Sequence, residues 1–232
     1  MHPPKIIVAI DGHAGSGKST MAAELARAVG YAYIDTGAMY RAVTLYGVEH
    51  GLVEEGRRPN ADKLSESIAD MHLYFFPDVL TGRSELWMNG RCVEPEIRTI
   101  YIGRLVSHVA AITQVRKKLV AMQQEMGRDK GVVMDGRDIG TVVFPDAELK
   151  VFATAAPEAR AKRRYDELRL KGENPSFAEV LRNVRQRDHI DGTRKDSPLR
   201  QAFDALLLDN SYMSTEEQNA WLLNQFYKTI RS

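Results

Sequence analysis

Short apolar runs alternate along the chain with longer stretches in which apolar residues recur three and four apart. That alternation predicts an α/β protein: a parallel sheet with helices on both faces. The pattern places strands at Ile6–Ile10, Ala32–Ile34, Val132–Met134, Leu149–Ala153 and Ala205–Leu208. Four of them end in an aspartate: Asp11, Asp35, Asp135 and Asp209. Ligands of open α/β sheets bind beyond the carboxyl ends of the strands, so a site is expected there. Asp209, followed by Asn210-Ser211, reads rather as a turn or cap residue. Helical spacing holds over Met21–Val29, from a helix beginning near Ala38, and from Ile100 to Gly127, where it predicts two helices or one bent helix. Thr215 followed by Glu216-Glu217 reads as an N-cap with acids in the first turn, opening a last helix whose Trp221, Leu222 and Phe226 belong to the core.

One region breaks the alternation. The β-prone runs His72–Phe76, Glu85–Met88 and Arg91–Val93 carry Asn89-Gly90 between the last two, and Asn-Gly between such runs is a hairpin signal. A small antiparallel insert at about residues 70–97 is expected, its aromatics packing a miniature core. The 232 residues suit one domain, at most one plus an insert.

Composition narrows the class. The chain is 44% apolar and 27% charged, as soluble globular proteins are, and its net charge of +1 argues against binding nucleic acid or a membrane through bulk charge. A single cysteine, Cys92, excludes an internal disulfide and a cysteine-built zinc site. With Met1-His2-Pro3-Pro4 running into the first strand, no cleavable apolar leader is expected, and no run approaches the ~20 residues of a membrane span. A cytoplasmic location is expected.

After the first strand comes Gly12-His13-Ala14-Gly15-Ser16-Gly17-Lys18-Ser19-Thr20, which fits G-x-x-x-x-G-K-[ST]. Glycines 12, 15 and 17 allow positive φ, which turns successive backbone N–H groups onto phosphate oxygens. Lys18 adds a positive charge, Ser19 offers a hydroxyl to magnesium, and the N-terminus of the following helix adds its dipole. The loop therefore implies binding of ATP or GTP.

The remaining signal is arginine beside aspartate at open strand ends. Asp35-Thr36-Gly37-Ala38-Met39-Tyr40-Arg41 enters a helix with Arg41 in its second turn, and Asp135-Gly136-Arg137-Asp138 leaves the third strand. If Gln186–Arg194 is helical, Arg187, Asp191 and Arg194 share a face. Guanidinium groups converging on one side of a sheet repel unless an anion lies between them, which implies a second phosphate. Pro157 opens a further helix carrying Arg160, Lys162, Arg163 and Arg164; interspersed Glu158, Asp166 and Glu167 argue against an RNA-binding stripe. A flap that brings Arg160, Arg163 and Arg164 onto the triphosphate fits that helix better.

At these residues the chain closely resembles the bacterial cytidylate kinases, a branch of the nucleoside monophosphate kinase family of P-loop proteins. GHAGSGKST, DTGAMYR, EIRT at Glu96–Thr99, DGRDIGTVVFPDA at Asp135–Ala147, RRY at Arg163–Tyr165 and the stretch from Arg187 to Leu199 carry the match, nearly end to end. The resemblance implies a single domain with core 1–60, 98–154 and 196–232, an NMP-binding insert at about 61–97 and a helical lid at about 155–195. It implies a monomer that uses ATP and magnesium to phosphorylate CMP or dCMP. By the same carry-over Ser107, Arg116 and Asp138 read the cytosine, while Arg41, Arg137 and Arg194 hold the acceptor phosphate. Arg187 and Asp191 meet the sugar, and Thr36 and Tyr40 line the pocket. Two positions depart from the family's pattern: His13 stands where proline is usual and Gly192 where serine is common. Two other readings stay open on the residues alone. One is a kinase for a small hydroxyl compound with Asp35 as base; the other is a nucleotide-dependent regulatory or assembly module.

Overall fold

The computed structural model describes residues 4–77, 84–170 and 172–231; the start at Met1–Pro3 and small parts of the 61–97 and 155–195 ranges lie outside the described residues. The elements are β1 (Ile7–Gly12), α1 (Lys18–Val29), β2 (Ala32–Asp35), α2 (Thr36–Glu49), α3 (Ala61–Ser67), β3 (Leu73–Pro77), β4 (Ser84–Met88), β5 (Arg91–Cys92), α4 (Glu94–Ile97), α5 (Ile100–Ala110), α6 (Thr113–Met126), β6 (Val132–Gly136), β7 (Leu149–Thr154), α7 (Pro157–Leu170), α8 (Phe177–Thr193), β8 (Leu206–Asp209) and α9 (Thr215–Thr229). A 3₁₀ turn at Ile68–Asp70 precedes β3, and a π-helical turn at Ile139–Val143 follows β6.

The parallel sheet has five strands in the order β2-β6-β1-β7-β8. All five strands predicted from the apolar runs are present, displaced at their ends by one or two residues. β1 lies in the middle, parallel to both β6 and β7, with Ile10 level with Asp135, Asp11 with Gly136 and Phe152, and Gly12 with Ala153. Being buried on both faces, β1 has no polar alternation until Asp11. The three-stranded sheet β3-β4-β5 is antiparallel. Its β4–β5 turn is the Asn89-Gly90 pair, both at positive φ, which is the backbone a tight hairpin needs.

The chain divides into two compact units. One comprises the residues up to Tyr33 and those from Asp129 onward; its core joins Val8 and Ile10 of β1, Met21, Ala22 and Leu25 of α1, Val151 of β7, and Leu222 and Phe226 of α9. Within it α7 and α8 pack on each other. The other, Ile34–Arg128, is broader than the insert at 61–97, because α2 and α4–α6 belong to it with the small sheet. Its core joins Met39 and Val43 of α2, Leu64, Leu86, Ile97, Val109 and Leu119. The periodic stretch from Ile100 is two helices, α5 and α6. Among the described residues no helix is long and apolar enough to cross a membrane.

Two boundaries differ from the sequence reading. α2 starts at Thr36, because the Asp35 carboxylate accepts from the Ala38 N–H and caps it. The cap of α9 is Ser214, not Thr215: the Ser214 hydroxyl accepts from Glu217 N while the Glu217 carboxylate accepts from Ser214 N. This capping box satisfies two terminal donors at once, which a cap at Thr215 with Gln218 three residues on does not do here. Ser214→Ala should therefore lower the unfolding free energy by about 1 kcal/mol in urea titrations, and Thr215→Ala by clearly less.

Candidate active site

The phosphate loop is built by a contact only glycine makes. A Cβ on Gly12 would lie 2.0 Å from the Ala153 carbonyl oxygen, so β1 and β7 can pair to the loop's first residue only without one. Gly12, Gly15 and Gly17 all have positive φ, and Gly17 is the N-cap of α1. Lys18 is buried, and its ammonium donates to the His13 carbonyl at 3.2 Å, folding the side chain back over the loop. The Ser19 hydroxyl donates to Asp135 Oδ2 at 2.8 Å, and Tyr33 donates to Asp135 Oδ1 at the same distance. His13, Ala14, Gly15, Ser16 and Thr20 complete the turn and the first residues of α1.

Three side chains from far along the chain brace this loop. Arg160 of α7 is 2% exposed; its guanidinium makes two bonds to Asp188 of α8, at 2.8 and 2.7 Å, and donates to the carbonyls of Ala155 and Ala14. The His13 ring lies 3.3 Å from the same Asp188 carboxylate. Burial works against the Asp188 charge, but His13 and Arg160 hold its pKa down at about 2. Arg160 thus ties α7 and α8 to the loop. Arg163 donates to the side-chain and main-chain oxygens of Asn210, and the buried Asn210 amide donates to the Ser16 carbonyl at 2.6 Å and to Gln218. Arg164 pairs with Glu167 one turn on along α7. Asp209 accepts from the amide and hydroxyl of Ser211, the turn role its sequence suggested.

Next to the loop, Asp11 is buried and accepts from the Ile139 and Gly140 amides, each at 2.7 Å. Burial pushes its pKa up to about 7, with Asp138 adding to the rise and the two amides and Lys18 opposing it.

The same unit carries the second group of predicted residues. Arg137 Nε donates to Asp191 Oδ2 at 2.8 Å, and a terminal nitrogen of Arg194 lies 3.8 Å from Asp138 Oδ1 while its Nε donates to the Ser197 carbonyl. Asp191 feels the charges of Arg137, Arg187 and Arg194 together; burial opposes its ionisation, but these arginines hold its pKa below the ordinary value. Burial, with the nearby Arg137 adding to it, pushes the Arg187 pKa down to about 10, while Asp191 and Asp188 oppose the fall. Arg187, Asp191 and Arg194 do share the end of α8, with Arg194 as its C-cap.

In the other unit, α2 places Thr36, Tyr40 and Arg41 in successive turns. Arg41 donates to the Ile97 carbonyl at 3.0 Å. Arg98 bonds Asp35 at 2.9 Å and Glu94 at 2.6 Å, which gives the EIRT segment its part: it ties α4 to the entry of α2. Burial favours neutral Asp35, yet Arg98, the Ala38 amide and Arg41 hold its pKa below the ordinary value. Arg116 of α6, buried, stacks its guanidinium 5.4 Å from the Tyr40 ring centre and donates to the Ala110 carbonyl. Ser107 is buried on α5.

Several of these partners escaped the sequence reading. Arg98, Asp188, Asn210 and Gln218 matter through contacts with distant segments; EIRT and the stretch from Arg187 to Leu199 contain Arg98 and Asp188 but gave neither a role. Among the described residues no cluster of three or more His, Cys, Asp or Glu could hold a metal on its own.

A glycine loop that opens a helix from the central strand of a five-stranded parallel sheet defines a P-loop fold of the kinase type. The cytidylate kinase profile matches residues 8–228, and the chain belongs to the cytidylate kinase family. A protein of Parabacteroides distasonis named cytidylate kinase is 60% identical over 228 residues, 98% of this chain and 99% of that one. One of Bacteroides thetaiotaomicron with the same name is 56% identical over 227 residues, with the same coverage. A solved structure of an uncharacterized protein from Eubacterium ventriosum, 10% identical, has a TM-score of 0.51 over 97% of this chain and 99% of that one, a likeness of fold alone.

The Asp188 brace carries a pH signature. Its pKa drops from an ordinary 3.8 to about 2, so the pairing stabilises the fold fully above pH ~4 and is lost as the pH falls towards 2. At about 1.4 kcal/mol per unit this is about 2.5 kcal/mol, reduced to about 2 kcal/mol by solvent screening of the half-buried carboxylate. Asp188→Asn should be less stable than the parent at pH 6 by at least this much, with the gap narrowing between pH 4 and pH 2 in denaturant titrations.

Proposed function

We propose that the protein transfers the γ-phosphoryl group of ATP to CMP or dCMP, giving ADP and CDP or dCDP. The carrying observation is the convergence on Asp191, whose carboxylate accepts from Arg137 at 2.8 Å and feels the charges of Arg187 and Arg194. Such a group suits a bound dianion.

In this reading the loop amides and Lys18 hold the ATP phosphates, and Arg41, Arg137 and Arg194 hold the acceptor phosphate, with Arg187 and Asp191 on the sugar. Thr36 and Tyr40 line that pocket. Asp138 accepts from the cytosine amine, and Ser107 and Arg116 donate to the ring nitrogen and carbonyl; uracil would bring an acceptor against Asp138. Arg163 and Arg164 stand over the nucleotide side of α7, and Arg160 acts through the loop it braces. Ser19 Oγ and Asp135, in contact at 2.8 Å, are hard oxygen donors that suit magnesium bound mainly by nucleotide oxygens and water. When bound, that ion neutralises charge on the terminal phosphates. The attacking oxygen belongs to an ionised phosphate, so no side chain has to remove a proton. Bringing two polyanions together in line is the difficulty that Lys18 and the arginines offset. The expected setting is a cytoplasmic monomer.

A kinase for a small alcohol would need Asp35 as base. Its carboxylate caps α2, pairs with Arg98 and has a lowered pKa, all of which make it a poor one.

The test is release of ADP from ATP with a panel of nucleoside monophosphates and shikimate-like alcohols. Turnover should require CMP or dCMP; turnover with an alcohol, or ADP release independent of any acceptor, would overturn the reading. Arg41→Ala should lower kcat about 100-fold with ATP affinity unchanged, by analogy with the loss of one charge-stabilising donor. Near-normal turnover would remove Arg41 from the phosphate site.

A further inference from the structure

Asp11 has no part in the transfer as described, yet its carboxylate is fully engaged. It is the last residue of β1 before the loop's first glycine, 5% exposed, and both its oxygens are taken by main-chain amides 128 and 129 residues away. Those amides, of Ile139 and Gly140, are the first two of the π-helical turn for which Asp138 is the N-cap. A helical turn begins with amides that lack partners within it, and an aspartate at the cap commonly folds back to accept from them. Here Asp138 makes no such capping bond. The cap is supplied from another strand, and the Asp138 carboxylate instead lies 3.8 Å from Arg194.

The neighbouring residues are fitted to this arrangement. A Cβ on Gly140 would lie 3.2 Å from Lys150 Cδ and 3.4 Å from Asp11 Oδ2, so a side chain there would crowd Lys150 and come into contact with the carboxylate. β1 and β6 are in parallel register up to Asp11 and Gly136, which fixes the distance the capping bonds must bridge.

We propose that Asp11 is a positioning residue for acceptor recognition: by capping the turn at Ile139 and Gly140 it directs the Asp138 carboxylate towards the acceptor base and couples that group to the phosphate loop. The inference rests on the assignment of Asp138 to the cytosine amine. Because Asp11 is joined to Gly12, displacement of the loop is carried to the turn through one rigid carboxylate.

The experiment compares kcat/KM for CMP and for UMP in the intact protein, Asp11→Asn, Gly140→Ala and Asp138→Ala, with ATP binding measured by calorimetry and folding by circular dichroism. Asparagine has one acceptor oxygen and sets an NH₂ against the second amide, so it removes one capping bond and keeps the shape. Asp11→Asn should lower the CMP:UMP ratio at least tenfold, chiefly through a higher KM for CMP, without weakening ATP binding. A merely structural role would depress both acceptors alike. Gly140→Ala sets a methyl between Lys150 and the Asp11 carboxylate at the second capped amide, with no change of charge; it should lower the ratio in the same direction and carries the test if Asp11→Asn does not fold. A relaxed ratio in Asp138→Ala beside intact ratios in Asp11→Asn and Gly140→Ala would overturn the inference alone. An unchanged ratio in Asp138→Ala would overturn the base-reading assignment and the inference with it.

Discussion

The structure of the nucleotide side depends on how closely β1 approaches β7. With Gly12 facing the Ala153 carbonyl, the central strand keeps its parallel pairing up to the point where the loop turns, and any side chain would force the two apart. That approach fixes the start of the loop, the left-handed residues that follow and the N-terminus of α1. It also sets Asp11 level with Gly136, so β1 and β6 deliver their carboxylates to one edge of the sheet. The hydrophobic strands set the depth of the site, and the glycine lets its backbone reach the anion.

The polar groups around the loop are expensive to bury and nearly all are engaged. Asp135 takes the hydroxyls of Ser19 and Tyr33, Asp188 takes Arg160 and His13, and Asn210 links Arg163 to Ser16 and Gln218. A half-satisfied network of this kind would be worse than an apolar one. Its consequence is a loop held from below and from the α7–α8 pair at once, so its amides are already aimed before a nucleotide arrives. Preorganised donors are effective because they need not reorient as charge moves. The guanidiniums of Arg137, Arg187 and Arg194 instead gather on Asp191, with Arg137 bonded to its carboxylate at 2.8 Å.

Much of this was legible in the sequence. Strands appeared because each buried run is short and bounded by polar residues, and the β4–β5 turn because Asn-Gly is almost diagnostic. The phosphate loop was legible because its chemistry needs consecutive residues. The α9 cap was misplaced by one position: Ser214 and Thr215 both precede acids, and only the spacing of Glu217 to Ser214 distinguishes them. Harder to see were residues whose meaning lies across the chain. Nothing local marks Arg98 as the partner of Asp35, or Asp11 as the cap of a turn beginning at Ile139. The same holds for Arg160: nothing in its α7 neighbours marks Asp188 on α8 or the Ala14 carbonyl as its partners. Local pattern shows what a residue is able to do; the partner decides what it does.

The central claim is that two polyanions are held together, one by the loop and one by the arginines. Calorimetric titration with a bisubstrate compound, adenosine and cytidine joined through a polyphosphate chain, tests this directly. The account predicts an affinity far above that of ATP or CMP alone, with the compound displacing both. A compound that binds no more tightly than ATP and leaves CMP binding undisturbed would contradict it.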